Sequence, residues 1–370
     1  MKIGIDISQI VYEGTGVGRF TNGLLNAVLQ YDKQNEWVFF FSSLRRDLNH
    51  ELENRIKSKG YTLIKWKIPP TLLSFLWNDL HSNFKFQISN FKLLDWFITS
   101  DWTEPSLPIK KAAIVHDLVY LRYPDTVDKK ILRTQQKRLS WVKKESQIIF
   151  ADSISTKQDL IDILKIEPKK IFVNYPGLEI KKPTVQHINQ TLKKYSLTKP
   201  FILTAGKLEP RKNVERLIDA FSRLKDSNLE LVVAGTKGWI SNQQYSNITI
   251  KHSRIRLLGY VDDESLYSLY SSCLFFIYPS IWEGFGYPVI EAMRLGAPVG
   301  TSKTSSLKEI ADDVTLLFNP LDSDDIYRCI DTLIHDERLR KELSRKGLER
   351  SKIFTWENYY QKMIKALASY

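Results

Sequence analysis

Two carboxylates flank a glycine-rich turn in residues 281–293, whose sequence is Ile-Trp-Glu-Gly-Phe-Gly-Tyr-Pro-Val-Ile-Glu-Ala-Met. Carboxylate oxygens accept hydrogen bonds from vicinal hydroxyls such as those of sugars and ribose, and free amides at a helix start bind phosphate oxygens. Pro288 suits the first turn of a helix, where its missing N–H is not needed. We therefore predict that a helix begins here, with Glu283 in the preceding loop and Glu291 in the first turn. An ordinary strand-to-helix turn is the alternative, but two carboxylates around it favour a ligand site.

Two adjacent cations, Arg211 and Lys212, lie just before a second predicted helix start. The preceding strand, residues 201–205, ends at Gly206, and Asn213 is a natural N-cap for a helix that begins at the next residue. The two side chains add positive charge to the positive end of the helix dipole, which suits a pyrophosphate. A solvated basic loop is the alternative interpretation.

A glycine-rich loop with Gly16 and Gly18 follows the first predicted strand and leads into a helix from about Phe20. A dinucleotide fingerprint requires glycine where Arg19 stands, and an acidic residue where the second predicted strand ends in two serines, 42–43. A phosphate loop and a flexible edge of an active site are therefore both open.

His116 ends a predicted strand at residues 112–116. A side chain at the carboxyl end of a parallel strand points toward the place where ligands of such sheets bind. The sequence leaves a packing role and a site role for this histidine equally open.

Asp322 and Asp324 form an Asp-x-Asp pair of the kind with which some transferases hold a divalent metal on a nucleotide diphosphate. They follow Asn319-Pro320 and precede a predicted helix, which favours capping of that helix. His and Cys residues show no metal-ligand spacing. We predict no essential metal and no other resident cofactor.

Short β-branched runs alternate with helix-period segments along the whole chain, which predicts an α/β fold with parallel sheets covered on both faces. The predicted strands are residues 2–7, 36–41, 62–65, 96–99, 112–116, 147–151, 170–174, 201–205, 229–234, 255–258, 274–278 and 299–301.

The length of 370 residues exceeds what one hydrophobic core supports, so we predict two Rossmann-like domains. Residues 181–199 are rich in Lys, Pro, Thr and Gln and lack an apolar period, which predicts a linker between domains at 1–180 and 200–353. Ligands of open parallel sheets bind beyond the strand ends, and we expect the two sheets to face each other across a cleft.

Composition excludes several classes of protein. A hydrophobic share of 43% excludes a disordered chain. The net charge of +12 is divided equally between residues 1–180 and the remainder, so no basic patch indicates nucleic-acid binding. Two cysteines indicate a reducing compartment, and the longest apolar runs are far shorter than the ~18 residues that a membrane span needs. Because the amino terminus also lacks a signal-peptide pattern, we expect a cytoplasmic protein.

One segment, residues 129–144, predicts a basic amphipathic helix in which five apolar residues are interleaved with the cations. Its basic residues, with no acidic one among them, are Lys129, Lys130, Arg133, Lys137, Arg138, Lys143 and Lys144. A solvated helix face and a contact with an anionic membrane, at the inner face of the plasma membrane, are both compatible with this pattern.

Taken together, the motifs resemble the family 4 glycosyltransferases, which are retaining enzymes with two Rossmann-like domains in the GT-B arrangement. The resemblance spans nearly the whole chain. It rests on Gly-Val-Gly-Arg-Phe (16–20), His-Asp-Leu (116–118), Leu-Arg-Tyr-Pro (121–124), Ala-Asp-Ser (151–153), Tyr-Pro-Gly (175–177), Glu-Pro-Arg-Lys-Asn (209–213), Leu-Gly-Tyr-Val (258–261), the segment 283–293, and Ser-Ser-Leu-Lys-Glu (305–309).

The resemblance implies roles for the candidate residues. Glu291 would bind the nucleotide ribose, Glu283 the donor sugar, and Arg211 with Lys212 the diphosphate, while His116 would lie near the transferred sugar. The implied donor-binding set also contains Gly16, Gly18, Lys207, Val261, Gly284, Phe285, Gly286 and Tyr287. Many family members carry arginine at the position of Lys207. The resemblance also implies that a C-terminal helix, 354–370, completes the first domain.

Residues 116–124 and 210–213 are most similar to the mannosyltransferase-like members that build bacterial surface polysaccharides. The expected function is retaining transfer of a hexose, with mannose favoured, from a nucleoside diphosphate sugar to a saccharide or lipid-linked acceptor. Two alternatives are a non-catalytic nucleotide-sugar-binding subunit of a polysaccharide assembly complex and an NAD-dependent dehydrogenase. The motifs do not distinguish the base, the donor sugar, the acceptor or the oligomeric state.

Overall fold

The computed structural model describes residues 1–12, 14–82, 93–99, 101–225, 228–238 and 253–370. They form two compact units, one of Met1–Glu179 with Phe354–Tyr370 and one of Ile180–Ile353. Each unit contains one parallel sheet with helices, which confirms the predicted α/β class with two such sheets.

The sheet of the first unit has the strand order β3-β2-β1-β4-β5-β6-β7, and all its described pairings are parallel. The strands are β1 (Lys2–Asp6), β2 (Glu36–Ser42), β3 (Thr62–Trp66), β4 (Trp96–Thr99), β5 (Lys110–Val115), β6 (Ile148–Ala151) and β7 (Ile171–Val173). Strand β2 is buried from its second residue onward, as expected for a continuous apolar run covered on both faces.

Helices of the first unit follow the strands in sequence. They are α1 (Gly16–Tyr31), α2 (His50–Ser58), α3 (Pro70–Ser74), α4 (Val119–Arg122), α5 (Lys129–Glu145) and α6 (Ile154–Asp162), with a π-helical turn at Phe75–Asp79 and the C-terminal helix at Trp356–Ala368. The C-terminal helix packs against α1 through Trp356, which lies so close to Gly23 that a Cβ there would be 2.1 Å from the indole.

The sheet of the second unit has the order β10-β9-β8-β11-β12-β13. Its strands are β8 (Phe201–Ala205), β9 (Glu230–Ala234), β10 (Ile255–Gly259), β11 (Phe275–Tyr278), β12 (Val299–Ser302) and β13 (Leu316–Phe318). Its helices are α7 (Val185–Lys194), α8 (Val214–Ser222), α9 (Asp263–Ser272), α10 (Tyr287–Arg294), α11 (Ser305–Ala311), α12 (Ser323–His335) and α13 (Glu337–Ser351). The three-residue strand β13 is too short to show an alternating pattern and was not predicted.

The segment predicted as a linker, residues 181–199, contains helix α7 and belongs to the second unit. Thr184 caps this helix by accepting a hydrogen bond from the His187 amide, and Lys194 near its end pairs with Asp262 at 3.1 Å. Within α7 only Thr191 is fully buried, and Ile188 and Leu192 are half-buried. A helix with so few buried apolar residues lacks the sustained apolar pattern from which helices are predicted, and this segment was therefore predicted as a linker.

Helix α5 confirms that the basic segment 129–144 is helical, but one of its cations is not on an exposed face. Arg138 is fully buried and donates from Nη2 to the Ile114 carbonyl at 2.7 Å, and Leu139 and Val142 belong to the core. The exposed cations lie at the two ends of the helix, Lys129, Lys130 and Arg133 at one end and Lys143 and Lys144 at the other. Among the described residues, no helix is both long and apolar enough to cross a bilayer.

Candidate active site

The second unit brings Glu283, Arg211 and Lys212 into one buried cluster. Glu283 Oε1 lies 2.6 Å from Lys212 Nζ, and Oε2 lies 2.9 Å from Arg211 Nη1. Oε1 also accepts hydrogen bonds from the hydroxyls of Tyr278 at 2.9 Å and Ser280 at 2.6 Å. The three residues predicted separately from two segments are thus joined through a single carboxylate.

The cluster determines the charge states of its members. Burial by itself would raise the pKa of Glu283, but the charges of Arg211 and Lys212 lower it to about 2. Burial lowers the pKa of the Lys212 ammonium, and the charge of Glu283 opposes that effect. Glu283 is therefore an anion at neutral pH and neutralises part of the positive charge beside it.

Arg211 and Lys212 belong to a 3-10 turn, Pro210–Lys212, that precedes α8. The turn is fastened to the loop after β11, because Arg211 Nη1 donates to the Trp282 carbonyl at 2.6 Å and the Ile281 amide donates to the Arg211 carbonyl at 2.9 Å. Both cations are consequently held next to Glu283 by backbone contacts as well as by charge.

Asn213 does not cap α8 with its side chain as predicted. It has a left-handed backbone, with φ of 58°, and makes no side-chain cap hydrogen bond. Its Nδ2 instead donates to the Pro279 carbonyl at 3.1 Å and the Pro320 carbonyl at 2.6 Å. The helix starts where the sequence indicated, but the amide ties its start to two loops.

Three consecutive hydroxyl residues at the start of α11 hold the loop that carries Glu283. Ser305 Oγ accepts from the Glu283 amide at 3.0 Å, and Thr304 Oγ1 donates to the Ile281 carbonyl at 2.9 Å. The fully buried Ser306 hydroxyl contacts the carbonyls of Glu283 at 2.9 Å and Phe285 at 2.8 Å. These contacts fix the backbone of the loop that carries the Glu283 carboxylate.

Helix α10 begins at Tyr287, with Gly286 as its N-cap and Pro288 in its first turn, as predicted. Gly286 has φ of +105°, and a Cβ there would lie 2.7 Å from Leu307 Cδ2, so this position requires glycine. Gly284 and Phe285 are buried before it, and the Phe285 ring packs edge-on against Tyr287 at 5.1 Å.

Glu291 lies in the second turn of α10 and not in the first, because the helix starts at Tyr287 and its first turn contains no acidic residue. Its side chain is buried and accepts a hydrogen bond from the Tyr270 hydroxyl at 3.3 Å. The two predicted carboxylates thus have different surroundings, with cations around Glu283 and a tyrosine hydroxyl beside Glu291.

Glycines also end the neighbouring strands β8 and β9. A Cβ at Gly235 would lie 1.9 Å from the Gly206 carbonyl oxygen, so the two backbones approach closely at these strand ends. Lys207 follows Gly206 and is exposed, whereas Val261 is buried two residues after β10. Gly235 was not predicted, although an Ala-Gly pair ends both strands and could have indicated it.

In the first unit, His116 is paired with a residue that the sequence analysis did not assign to the site, Asp152. Its Nδ1 lies 2.7 Å from Asp152 Oδ2, and both side chains are mostly buried. Phe20 of α1 packs edge-on against the imidazole with ring centroids 4.5 Å apart. The parallel strands β5 and β6 end at Val115 and Ala151, which are register partners. Once this register is known, the residues that follow them, His116 and Asp152, are expected to lie side by side.

The glycine-rich loop begins α1 earlier than predicted, at Gly16 and not near Phe20. Thr15 is the N-cap, and its hydroxyl accepts from the Gly18 amide at 3.1 Å. A Cβ at Gly18 would lie 2.2 Å from the Tyr12 carbonyl oxygen, which explains the glycine by packing. Gly16 has open space around it.

The Asp-x-Asp pair caps a helix, as predicted. Asp322 is the N-cap of α12, and its Oδ1 accepts from the amides of Asp324 at 2.8 Å and Asp325 at 3.2 Å. Asp324 itself pairs with Arg223 on the surface at 2.7 Å.

Comparison with known proteins identifies the family. A family model described as glycosyl transferases group 1 matches residues 188–350. The O-antigen chain mannosyltransferase B of Escherichia coli is 27% identical over 381 residues, with 99% of this chain and 99% of that protein covered. The serotype-specific mannosyltransferase WbdA of Escherichia coli is 30% identical over 266 residues, which are 68% of this chain and 32% of WbdA.

Solved structures share the fold at low sequence identity. Sucrose-phosphate synthase of Thermosynechococcus elongatus has a TM-score of 0.75 at 18% identity, covering 100% of this chain and 98% of that one. HepE of Anabaena in complex with UDP and glucose has a TM-score of 0.70 at 16% identity, covering 100% of both chains. The matched segment contains the cluster of Glu283, Arg211 and Lys212, and it is a glycosyl transferases group 1 domain.

Proposed function

We propose that this glycosyltransferase belongs to the retaining family 4 enzymes and transfers a mannosyl residue from a nucleoside diphosphate sugar to a hydroxyl of a saccharide or lipid-linked acceptor. The observation that carries the proposal is the cluster in which Arg211 and Lys212 flank the Glu283 carboxylate next to the start of α10. Several relatives that match this chain are mannosyltransferases, which supports the choice of sugar.

The chemistry places its greatest electrostatic demand on the leaving group. The bond from C1 of the sugar to the diphosphate breaks, C1 forms a bond to the acceptor oxygen on the same face, and the acceptor proton passes to a leaving phosphate oxygen. Arg211 and Lys212 would stabilise the charge that develops on the diphosphate, since preorganised cations act most strongly in a water-poor site.

Glu283 would orient the sugar by accepting hydrogen bonds from its hydroxyls, and Glu291 would do the same for the ribose. Both oxygens of Glu283 already lie within hydrogen-bonding distance of a cation, at 2.9 Å and 2.6 Å. Such a carboxylate is a poor nucleophile, so the proposal assigns Glu283 an orienting role and invokes no covalent intermediate.

We also propose that transfer needs no resident metal. The charge that a divalent ion supplies to a diphosphate in other transferases would come here from Arg211 and Lys212. The Asp-x-Asp pair is engaged in capping α12 and pairing with Arg223. Activity should therefore survive chelation with EDTA, and complete loss that Mg²⁺ or Mn²⁺ restores would contradict this part of the proposal.

The donor can be identified with a binding and transfer panel. Thermal shifts with GDP, UDP and ADP, and with their sugars, report the base, because a ligand that binds only the folded state raises the melting temperature. Transfer assays with the selected donor then report the sugar, and NMR of the product reports the configuration at C1. An inverted product would contradict retention, and binding without transfer to any saccharide or lipid-linked acceptor would favour a non-catalytic binding subunit.

A variant pair tests the role of the cations. Lys212→Ala should lower kcat by ~10² or more while the protein remains folded, because a preorganised charge on the leaving group is lost. Lys341→Ala removes an exposed lysine of α13 that pairs with Glu337 four residues earlier, and it should leave kcat unchanged. Equal rates for the two variants would exclude Lys212 from the reaction.

The basic amino-terminal end of α5 supports a further proposal, a peripheral contact with an anionic membrane at the inner face of the plasma membrane. Lys129, Lys130 and Arg133 are exposed there. Phe75, which is 49% exposed, lines a cavity of about 310 Å³ together with Lys130 and Ile131, so apolar and basic side chains share this surface. Such a combination binds anionic bilayers through both charge and apolar insertion.

Sedimentation with vesicles tests the membrane contact. The protein should bind vesicles that contain anionic lipid, and it should not bind neutral ones. Replacing Lys129, Lys130 and Arg133 with alanine should abolish binding, whereas Lys143→Ala with Lys144→Ala removes charge from the other end of α5 and should reduce it little. Equal binding by both variants would show that this end of α5 is not the contact.

A further inference from the structure

His116 and Asp152 form a buried pair at the ends of adjacent parallel strands. Val115 of β5 and Ala151 of β6 are register partners, so the next residue of each strand brings the two side chains together. His116 Nδ1 and Asp152 Oδ2 are 2.7 Å apart. The exposed fractions of the side chains are 14% for His116 and 5% for Asp152, so little water reaches this hydrogen bond.

The imidazole is held on several sides. The Phe20 ring packs edge-on against it, and the Thr156 hydroxyl donates to the His116 carbonyl at 3.0 Å. With Nδ1 committed to Asp152, the second ring nitrogen is the one free to act. Nε2 is buried and makes no hydrogen bond to any residue in the described part of the chain. A buried ring nitrogen without a partner is costly unless a ligand supplies one.

We propose that Asp152 is a positioning residue that holds His116 by its Nδ1–H, so that Nε2 presents an N–H group to an oxygen atom of the bound substrate. This inference rests on the proposed function, because a sugar donor and its acceptor carry hydroxyl and phosphate oxygens that accept such a bond. It gives a role to the Ala-Asp-Ser segment, 151–153, that the family resemblance left without one.

The charge state of His116 decides whether Nε2 donates or accepts. A neutral imidazole with its hydrogen on Nδ1 accepts at Nε2, whereas an imidazolium donates at both nitrogens. Burial alone lowers the pKa of His116, but the charge and hydrogen bond of Asp152, with smaller contributions from Asp101 and Asp117, raise it to about 9. The raised pKa of His116 favours the imidazolium, and in that form Nε2 is a charged donor.

This arrangement differs from an Asp-His pair that acts as a general base. A base must be neutral to accept a proton, so its activity rises with pH through the histidine pKa. With Nδ1–H held by Asp152, Nε2 donates only in the charged imidazolium, so activity that needs this donor falls as pH rises through the same pKa. The sign of the pH dependence therefore separates the two roles.

NMR titration of the imidazole C–H signals tests the pair without any assay of activity. His116→Gln identifies the signal among the six histidines. In the wild-type protein the His116 pKa should lie well above 6.5, and in Asp152→Asn it should fall by at least one pH unit. Asp117→Asn, which changes a neighbouring carboxylate that contacts the Val119 amide, should shift it less. A wild-type pKa below 7, or equal effects of the two variants, would overturn the proposal even if the protein proves to be a transferase.

The pH profile of transfer supplies the functional test. Wild-type kcat should be steady through neutral pH and decline as pH rises toward 9, and in Asp152→Asn the decline should begin at least one unit lower. A purely structural role for Asp152 would lower the rate at all pH values without moving the profile, and that result would contradict the proposal. A wild-type rate that rises through the His116 pKa would make His116 a base and overturn it as well.

Discussion

Lys212 and Glu283 form an ion pair in which Nζ and Oε1 are 2.6 Å apart, although 71 residues separate them along the chain. Arg211 occupies the other oxygen of the same carboxylate. The two cations that suit a diphosphate are thus held in place by an internal anion. On the proposed function, a bound diphosphate would have to share them with Glu283 or displace it, which would link the affinity for the leaving group to the state of one side chain.

Replacing the internal anion should separate binding from transfer. In Glu283→Gln the two cations lose their negative partner, so we expect a nucleoside diphosphate to bind several-fold more tightly, while kcat falls by ~10² because the sugar loses a charged acceptor. Calorimetric titration and initial rates measure the two effects. Glu342→Gln, which changes an exposed carboxylate of α13 that pairs with Lys346, should alter neither. Weaker diphosphate binding in Glu283→Gln would show that Glu283 does not compete.

Glu283 should also make stability depend on pH. Its pKa is about 2 in the folded protein, against an ordinary value of 4.5. A carboxyl with a depressed pKa contributes stability that is present above its unfolded pKa and is lost as pH falls through the folded one. The stability difference between wild type and Glu283→Gln should therefore be large at pH 7, about 3–5 kcal/mol for a broken buried pair, and should shrink between pH 4.5 and 2. Urea unfolding across pH 7 to 4 measures the start of this decline, and a difference that stays constant below pH 4.5 would contradict the assignment.

Tyr278 is expected to act through its hydroxyl. That group donates to Glu283 Oε1 at 2.9 Å and accepts from Lys212 Nζ at 2.7 Å, and the side chain is buried. In Tyr278→Phe the ring remains but the link between cation and anion is lost, which should cost about 1 kcal/mol and lower kcat by roughly tenfold. Tyr327→Phe keeps the ring that Arg223 covers and provides the control. Equal rates in the two variants would indicate that the Tyr278 hydroxyl only fills space.

Ser306 should affect donor binding more than the chemical step. Its hydroxyl contacts the carbonyls of Glu283 and Phe285, which belong to the loop before α10. Ser306→Ala leaves buried carbonyls with fewer partners and loosens that loop, so we expect the KM for the donor to rise several-fold and stability to fall by about 1–3 kcal/mol. Ser272→Ala removes a hydroxyl that donates to the carbonyls of Ser268 and Leu269 within its own helix, and it should leave KM unchanged. A fall in kcat at unchanged KM would contradict this prediction and show that Ser306 supports the chemical step.

Sequence patterns predicted those parts of the molecule that depend on local chemistry. Apolar β-branched runs identified the strands, and Pro288 and Asp322 identified helix starts, because burial and capping are determined within a few residues. The contact of Glu283 with Lys212, and that of His116 with Asp152, depend on strand order and register across long sequence separations. Residue types made the candidates visible, but their partners could be identified only once the sheet was known.

At Asn213 the predicted start of α8 was correct, but the predicted role of the side chain was wrong. It was predicted as a side-chain cap, yet it has φ of 58° and uses Nδ2 to hold the Pro279 and Pro320 carbonyls. Asn213→Ala loses these hydrogen bonds and also places an ordinary Cβ residue in the left-handed region, where strain costs roughly 1–2 kcal/mol. Asn213→Gly loses the same hydrogen bonds without the strain.

The order of stability should therefore be asparagine, then glycine, then alanine, with Asn213→Ala about 2–4 kcal/mol below the wild type. Unfolding in urea measures the three proteins. Because Asn213 adjoins Lys212, kcat should fall in both variants, and the similar loss of loop contacts should make the two losses similar. If alanine were more stable than glycine, the left-handed backbone would not be required at this position, and the link between β11, α12 and the cationic turn would need another explanation.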